Sequence, residues 1–273
     1  MHRDRRAYDG VKGRRRTSGP RASEAVISGR RAVLEAIRAG VAGRVMVARG
    51  ARSTEGLRDV LSAAEEAVIP VDEVERVELD RLANDHRGVV ATVRIRSPLG
   101  ERELARWPFG ELDVVVVLDG ITDPQNLGAA ARSAEAAGAA MLVTRERRSA
   151  DVTDAAIRAS AGALLHLPRA RVANIPRALA RLREAGFTVV GLDERAERTV
   201  FEEDQPAGRV AIALGSEGEG LARLTREACD VLVRLPMRGR VGSLNSSASL
   251  AAALYAFVVP GRLDDSRPAE PTA

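Results

Sequence analysis

The chain reads as an α/β protein, a parallel sheet with helices on its faces, preceded by a smaller α/β module. Two observations carry this. Val114-Val-Val-Val-Leu118 is a continuous apolar run of the kind found in strands buried on both faces. Strands expected at 140–144, 187–192, 209–214 and 231–235 alternate with helical patterns at 127–138, 175–185, 219–228 and 246–258, and such alternation specifies a parallel sheet. A length of 273 residues leaves room for a second unit.

That second unit is expected over residues 23–97. Ser28-Gly-Arg-Arg-Ala-Val-Leu-Glu-Ala-Ile-Arg-Ala-Gly40 places apolar residues at 33, 34 and 37 and ends on glycine, so it reads as an amphipathic helix with a C-terminal stop. Arg44 to Arg49 reads as a strand, 57–67 as a helix, 68–71 as extended and 74–84 as a helix. Gly88-Val-Val-Ala-Thr-Val-Arg-Ile-Arg96, rich in β-branched residues, closes the unit as a strand. Residues 98–112 carry Pro98, Gly100, Pro108 and Gly110 among charges and read as a linker. The large domain then runs over 113–262, and 263–273, rich in Pro, Asp and Glu, is expected to be a frayed tail.

Composition excludes several classes of function. No stretch approaches the roughly 20 apolar residues of a membrane span. Basic residues open the chain, but no apolar run follows to make a secretory signal. A single cysteine, Cys229, and three scattered histidines offer neither a disulfide nor a zinc site, so the expectation is a cytoplasmic protein without a metal or membrane partner. Charge is unevenly placed. Residues 1–22 hold Arg3, Arg5, Arg6, Lys12, Arg14, Arg15, Arg16 and Arg21 against Asp4 and Asp9, a net +6 in a chain of net +4. Such an arm is expected to be disordered and drawn to polyanions, with nucleic acid the natural partner; a solubilising tail is the alternative.

Ligands of parallel α/β sheets gather at the carboxyl ends of the strands, so the loops after the apolar runs are where chemistry is expected. The first is Leu118-Asp-Gly-Ile-Thr-Asp-Pro-Gln-Asn126-Leu-Gly-Ala-Ala-Ala-Arg132. Asn126 stands where a helix N-cap is expected, and Arg132, six residues on, lies about 240° around the helix. By themselves the two could be a plain cap and a solvated arginine. The second is Ile212-Ala-Leu-Gly215-Ser-Glu217-Gly218-Glu-Gly220-Leu, whose glycines allow close backbone approach to a ligand next to a helix start. It lacks the Gly-Lys-Ser/Thr ending of a phosphate loop, and Arg223 occupies the third glycine position of a dinucleotide fingerprint. Its glutamates suit a ribose hydroxyl, an amino group or a sulfonium cation. The third is Arg234-Leu-Pro-Met237-Arg-Gly239-Arg-Val-Gly242-Ser243-Leu-Asn245, leading into a helix of alanines and serines that permits close packing.

The three loops in this order resemble the motifs of the SpoU (TrmH) branch of the SPOUT RNA methyltransferases, which methylate a ribose 2′-hydroxyl of ribosomal or transfer RNA. Asn126-Leu-Gly with Arg132 is similar to the first motif, Gly215-Ser-Glu-Gly with Gly220-Leu to the second, and Leu235-Pro-Met with Ser243-Leu-Asn245 to the third. Residues 24–97, with Ser28-Gly-Arg-Arg-Ala-Val and Gly88-Val-Val-Ala, resemble the small RNA-binding domain of the subgroup that modifies a guanosine of 23S ribosomal RNA.

The resemblance implies a deep trefoil knot at the C-terminal end of the parallel sheet and a homodimer whose site combines both subunits. It also implies S-adenosylmethionine as cofactor, held by Ala213, Leu214, Gly215, Glu217 and Gly218 of the second loop and Leu235, Met237, Ser243 and Leu244 of the third. Asn126, Arg132, Glu217, Ser243 and Asn245 carry over as the catalytic set. Arg132 would hold a substrate phosphate and stabilise the developing alkoxide, the asparagines would orient the ribose and backbone, and Glu217 would fix its loop or compensate Arg132. RNA contacts would fall on Arg3, Arg5, Arg6, Lys12, Arg14, Arg15 and Arg16 of the arm and on Arg30 and Arg31. Ala129-Ala-Ala131 and Gly242 are smaller than the family pattern leads one to expect, which bears on packing. A transfer-RNA or resistance methyltransferase and a non-catalytic ribosome assembly factor stay open as alternatives.

Overall fold

Two sheets organise the chain, each built where the apolar pattern demands burial; the computed structural model describes residues 22–262. The N-terminal sheet has the order β1-β4-β2-β3, from β1 (Ala22–Ser28), β2 (Ala42–Ala48), β3 (Val71–Val74) and β4 (Val89–Arg96). Its β1–β4 and β4–β2 pairs are antiparallel and β2–β3 is parallel. Helices α1 (Arg30–Arg38) and α2 (Glu55–Glu66) cover one face through Val33, Ile37, Leu57 and Val60. The other face receives Leu79 of α3 (Arg76–Leu82).

Two differences from the expected pattern have local causes. β3 starts at Val71 rather than at residue 68, because Val68 takes a left-handed turn (φ 55°) that closes α2 and Pro70 follows it. β1, absent from the sequence pattern, pairs along its whole length with β4.

The second sheet has six parallel strands in the order β10-β8-β9-β5-β6-β7. They are β5 (Val114–Asp119), β6 (Met141–Arg145), β7 (Arg169–Val172), β8 (Thr188–Leu192), β9 (Val210–Gly215) and β10 (Val231–Val233). Every residue of β5 and β9 is buried, as the unbroken apolar run requires. Strand alternation sends Val114, Val116 and Leu118 to one core and Val115 and Val117 to the other. The first core is covered by α5 (Pro124–Ala136), α6 (Asp154–Ala159), α7 (Ala163–His166) and α10 (Ser246–Ala253), the second by α8 (Ile175–Glu184). Helix α9 (Arg223–Glu227) is short, and α10 continues as a π-helical turn, Leu254–Val258, whose Tyr255 hydroxyl donates to the Ala136 carbonyl at 3.0 Å.

The joining segment is built into the large domain. It carries α4 (Glu101–Leu104), whose Leu104 is buried, and Leu99 bridges to Ala170 at the edge of β7. Close approach of α5 and α6 explains Gly128: a Cβ there would lie 2.4 Å from the Ala156 carbonyl oxygen. No helix among the described residues is long and apolar enough to cross a membrane.

Candidate functional site

The first loop leaves β5 at Asp119 and enters α5 through a cap. Asp123, not Asn126, is the N-cap: its carboxylate accepts the Asn126 N–H at 3.0 Å, and Pro124 occupies the first helical position. Asn126 therefore sits within the first turn, with its side-chain amide free to reach outward. Arg132 lies further along the same helix, exposed, and among the described residues no carboxylate comes within ion-pair distance of it. Glu217 is engaged instead with the loops, as the hydrogen bonds below describe.

The second loop is shaped by backbone crowding. At Gly215 a Cβ would fall 1.9 Å from the carbonyl of Gly220, so only glycine fits. Ser216 and Gly220 bridge, with the Gly220 N–H donating to the Ser216 carbonyl at 3.0 Å. The loop closes on itself, and the helix expected from residue 219 starts only at Arg223. Asp119, 3% exposed, ties this loop to the first: it accepts from the Thr225 hydroxyl at 2.5 Å and the Ala222 N–H at 3.3 Å, and pairs with Arg145 at 2.6 Å.

The third loop runs from Arg234 to α10, whose N-cap is Asn245. Its Oδ1 accepts from the Ser247 N–H at 3.0 Å and from the Ser247 hydroxyl at 2.6 Å. The same side chain is also part of the site. Its Nδ2 donates to Asn126 Oδ1 at 2.9 Å and to Glu217 Oε1. Glu217 Oε1 further accepts from Asn126 Nδ2 at 3.2 Å and the Ser246 N–H at 3.3 Å. One carboxylate oxygen therefore holds all three loops together.

Behind this junction lies a cavity of about 390 Å³. Leu214, Gly215, Glu217, Gly218, Leu235, Met237, Ser243 and Leu244 line it, so the second and third loops face one volume. Ala213 does not: strand alternation turns its side chain into the core beneath α8, fully buried. Asp193, Glu194 and Arg195, just past β8, line the cavity and were not singled out from the sequence. The rule that picked the other loops applies equally to them, since they follow the apolar strand 187–192. Asp193 is 5% exposed, and its Oδ1 accepts the Arg195 N–H at 2.8 Å. Arg30 and Arg31 lie away from this cavity in α1, and the arm residues Arg3, Arg5, Arg6, Lys12, Arg14, Arg15 and Arg16 fall outside the described residues. Burial, with Asp230 next in effect, pushes the Cys229 thiol up to about 12, so it supplies no thiolate near neutral pH.

Residues 113–255 match the SpoU rRNA Methylase family, and residues 26–99 match the RNA 2′-O ribose methyltransferase substrate-binding family. The chain belongs to the SpoU family. It is 42% identical over 238 residues to an uncharacterised tRNA/rRNA methyltransferase of Mycolicibacterium vanbaalenii, covering 84% of this chain and 74% of that one. It is 39% identical over 210 residues to the 23S rRNA (guanosine-2′-O-)-methyltransferase RlmB of Pseudomonas putida, covering 76% and 84%. The solved structure of the SpoU methyltransferase AviRb from Streptomyces viridochromogenes with bound AdoMet superposes with a TM-score of 0.68 at 29% identity, over 86% of this chain and 89% of that one. The activity expected from the motifs holds: this SpoU protein is an S-adenosylmethionine-dependent RNA 2′-O-ribose methyltransferase.

The cavity fits such a cofactor on its own geometry. Gly215 keeps one wall at backbone level, where any side chain would fill the loop. Asp193, Glu194 and Glu217 supply carboxylates for an amino group, ribose hydroxyls or a sulfonium, while Leu214, Val233 and Leu244 give apolar surface for a planar base. The Ser246 hydroxyl is buried without a hydrogen-bond partner on the cavity wall, an acceptor or donor left over for a ligand.

Proposed function

We propose that this SpoU enzyme methylates the 2′-hydroxyl of a guanosine in 23S ribosomal RNA. The observation that carries the reading is the convergence of Asn126, Glu217 and Asn245 on one hydrogen-bonded junction at the mouth of the cofactor cavity, with the unpaired Arg132 on the helix that brings Asn126 there. The guanosine target draws its support from the likeness to RlmB across both domains.

The cofactor supplies an electrophilic methyl group: the new C–O bond forms as the S–CH₃ bond breaks, and the 2′-hydroxyl proton leaves to solvent. Leu214, Gly215, Leu235, Met237 and Leu244 hold the cofactor by shape and backbone contacts. Glu217 fixes the three loops. Asn126 and Asn245 present amide groups to the ribose, and Ser243, exposed at the rim, leaves its hydroxyl for the substrate beside them. Arg132 stays protonated, because a guanidinium does not lose its proton under protein conditions. It holds the phosphate next to the target ribose and stabilises the charge that builds on the 2′-oxygen.

The enzyme acts in the cytoplasm as a homodimer with a C-terminal trefoil knot. Leu244, 44% exposed at the cavity mouth, and Tyr255, 51% exposed near the C-terminal end of α5, are apolar side chains that a second copy would cover. The knot draws its support from the SpoU family match over residues 113–255. The basic arm adds sequence-independent affinity for RNA.

The deciding experiment incubates the protein with labelled S-adenosylmethionine and unmodified 23S ribosomal RNA or transfer RNA, followed by nucleoside mass spectrometry. The expected product is 2′-O-methylguanosine in 23S RNA, with a dimer mass by light scattering at the assay concentration. Label in transfer RNA alone would move the substrate, and a monomer mass for the active protein would remove the dimer.

A further inference from the structure

The two domains are locked along one edge. Ser28, at the end of β1 and fully buried, donates from its N–H and from its hydroxyl to the two carboxylate oxygens of Asp154 in α6, each at 2.8 Å. Gly162, between α6 and α7, comes so near α1 that a Cβ there would lie 2.9 Å from Glu35 Cβ. Ile27 of the small domain and Ile157 of the large one share a single apolar cluster. The seam is packed like a core and sets the relation of one unit to the other.

A second cavity, of about 400 Å³, opens at this seam. Its walls carry four guanidinium side chains from both units: Arg30 and Arg31 in the first turn of α1, Arg87 before β4, and Arg158 on α6. We infer that this cavity binds a phosphodiester of the RNA substrate, so that the nucleic-acid backbone is gripped across the domain boundary. The inference rests on the RNA methyltransferase reading above.

Charge favours an anion there. The carboxylates on the walls are Glu35 and Asp85, and Glu35 is engaged by Arg38 at 3.5 Å. Arg158 pairs with Asp154 at 3.4 Å, and Asp154 is already shared with Ser28. Arg30 is held in place by the Thr54 hydroxyl at 2.5 Å and the Arg87 carbonyl at 3.5 Å, while its buried Nε has no hydrogen-bond partner. Arg31 is exposed, and among the described residues it has no carboxylate partner. Helix α1 starts at Gly29 with no side-chain cap and no acidic residue in its first turn, so its positive end adds to the field. Planar guanidinium forks suit phosphodiester oxygens in pairs.

The backbone around the cavity is strained in a way that serves this grip. Asp85 (φ 55°), Arg87 (φ 48°) and Ala161 (φ 49°) all line it in the left-handed region. For residues with side chains this conformation is disfavoured and persists only where neighbours enforce it. His86, 3% exposed between two of them, does so: its Nε2 donates to Asp80 at 2.9 Å, and its Nδ1 accepts the Gly88 N–H at 2.9 Å. The turn thereby presents Arg87 to the cavity.

Placement links the seam to catalysis. Helix α6, which carries Arg158 and Asp154, packs directly on α5, which carries Asn126 and Arg132, at the close approach of Gly128 to Ala156. A backbone phosphate held at the seam is thus one helix away from the site, in fixed geometry to the target ribose.

The test is fluorescence-anisotropy binding of an unmodified 23S RNA fragment from about 50 to 300 mM salt, for the full chain and for Arg31→Gln, Arg158→Gln and the double variant, alongside calorimetric binding of S-adenosylmethionine. Each glutamine is expected to weaken RNA binding about three- to tenfold near 0.1 M salt and to flatten the logarithmic salt slope by roughly 0.7–0.9. Cofactor affinity stays unchanged. Because Arg158→Gln can loosen the seam through Asp154, Arg31→Gln decides: wild-type affinity and slope in that variant, while the parent chain binds and methylates RNA, overturns the seam site and leaves the enzyme reading intact. A parent chain that binds no RNA overturns both.

Discussion

Glu217 and Arg132 divide the work of the site between holding and reacting, and the division can be measured. Glu217 Oε1 takes three hydrogen bonds from Asn126, Asn245 and Ser246, which belong to two helices far apart in sequence. Hydrogen bonds to a charged group contribute about 1.5–3 kcal/mol. Glu217→Ala is therefore expected to open the cavity mouth and weaken S-adenosylmethionine binding about ten- to a hundredfold. Arg132 touches none of the cavity wall, so Arg132→Ala should leave cofactor affinity within about twofold while lowering kcat about 10²–10³-fold, the usual cost of removing one donor to a developing oxyanion. Calorimetry and single-turnover methylation on both variants separate the two roles; a large loss of cofactor affinity in Arg132→Ala would merge them. The residue types at these positions were legible in the sequence. Their partners were not, because Asn245 is both a helix cap and a bridge to Asn126, and only the folded chain brings residues 126, 217 and 245 together.

At the level of elements, the loop after β9 is the most constrained piece of the site. A methyl at Gly215 meets the Gly220 carbonyl at 1.9 Å, whereas at Gly218, with φ 83°, it meets nothing within 4 Å. Gly215→Ala must displace the loop and is expected to abolish measurable cofactor binding and to lower Tm by several degrees, since overpacking costs about 1–3 kcal/mol. Gly218→Ala carries only backbone strain and should retain binding within about tenfold. Thermal unfolding with and without S-adenosylmethionine reads both, and equal behaviour of the two variants would refute the crowding argument. The long, strongly apolar strands were legible for the same reason that Gly215 is intolerant: burial on both faces leaves little freedom of sequence. Elements without that signature escaped. β7, Arg169-Ala-Arg-Val172, alternates half-buried arginines with buried apolar residues on a sheet edge, and lost hydration, with Arg171 adding to it, pushes the pKa of the Arg169 guanidinium down to about 10. α6, of six residues, and α7, of four, are separated by Ser160, Ala161 and Gly162 and are too short for a helical period to emerge.

Across the whole molecule, the segment between the two domains is fastened onto the large one at both of its ends. Arg209 donates to the carbonyls of Phe109, Gly110 and Ala185 at 2.6, 2.7 and 2.6 Å, pinning the end of that segment over Phe187. At its start, Glu101 engages Arg177 of α8 through both carboxylate oxygens. The Arg177 hydrogen bond holds the Glu101 carboxyl below its ordinary 4.5, against the opposing effect of burial. A carboxylate with a lowered folded-state value contributes stability that is present above 4.5 and is lost as pH falls through the lowered value. Asp72 beside Arg44, and Glu202 under the Thr199 N–H, shift the same way, but both are exposed to solvent, so the join is where the effect is sought. Glu101→Gln removes the central member. Arg177 is largely exposed, so solvent screens the pair and the loss of Tm at neutral pH is expected to be small. The gap between parent and variant should close as pH drops from about 5 to 3, because protonation deprives the parent of the same interaction. A gap that persists undiminished at pH 3 would mean that Glu101 acts through packing, and the join would then be held by Leu104 and Arg209 rather than by charge.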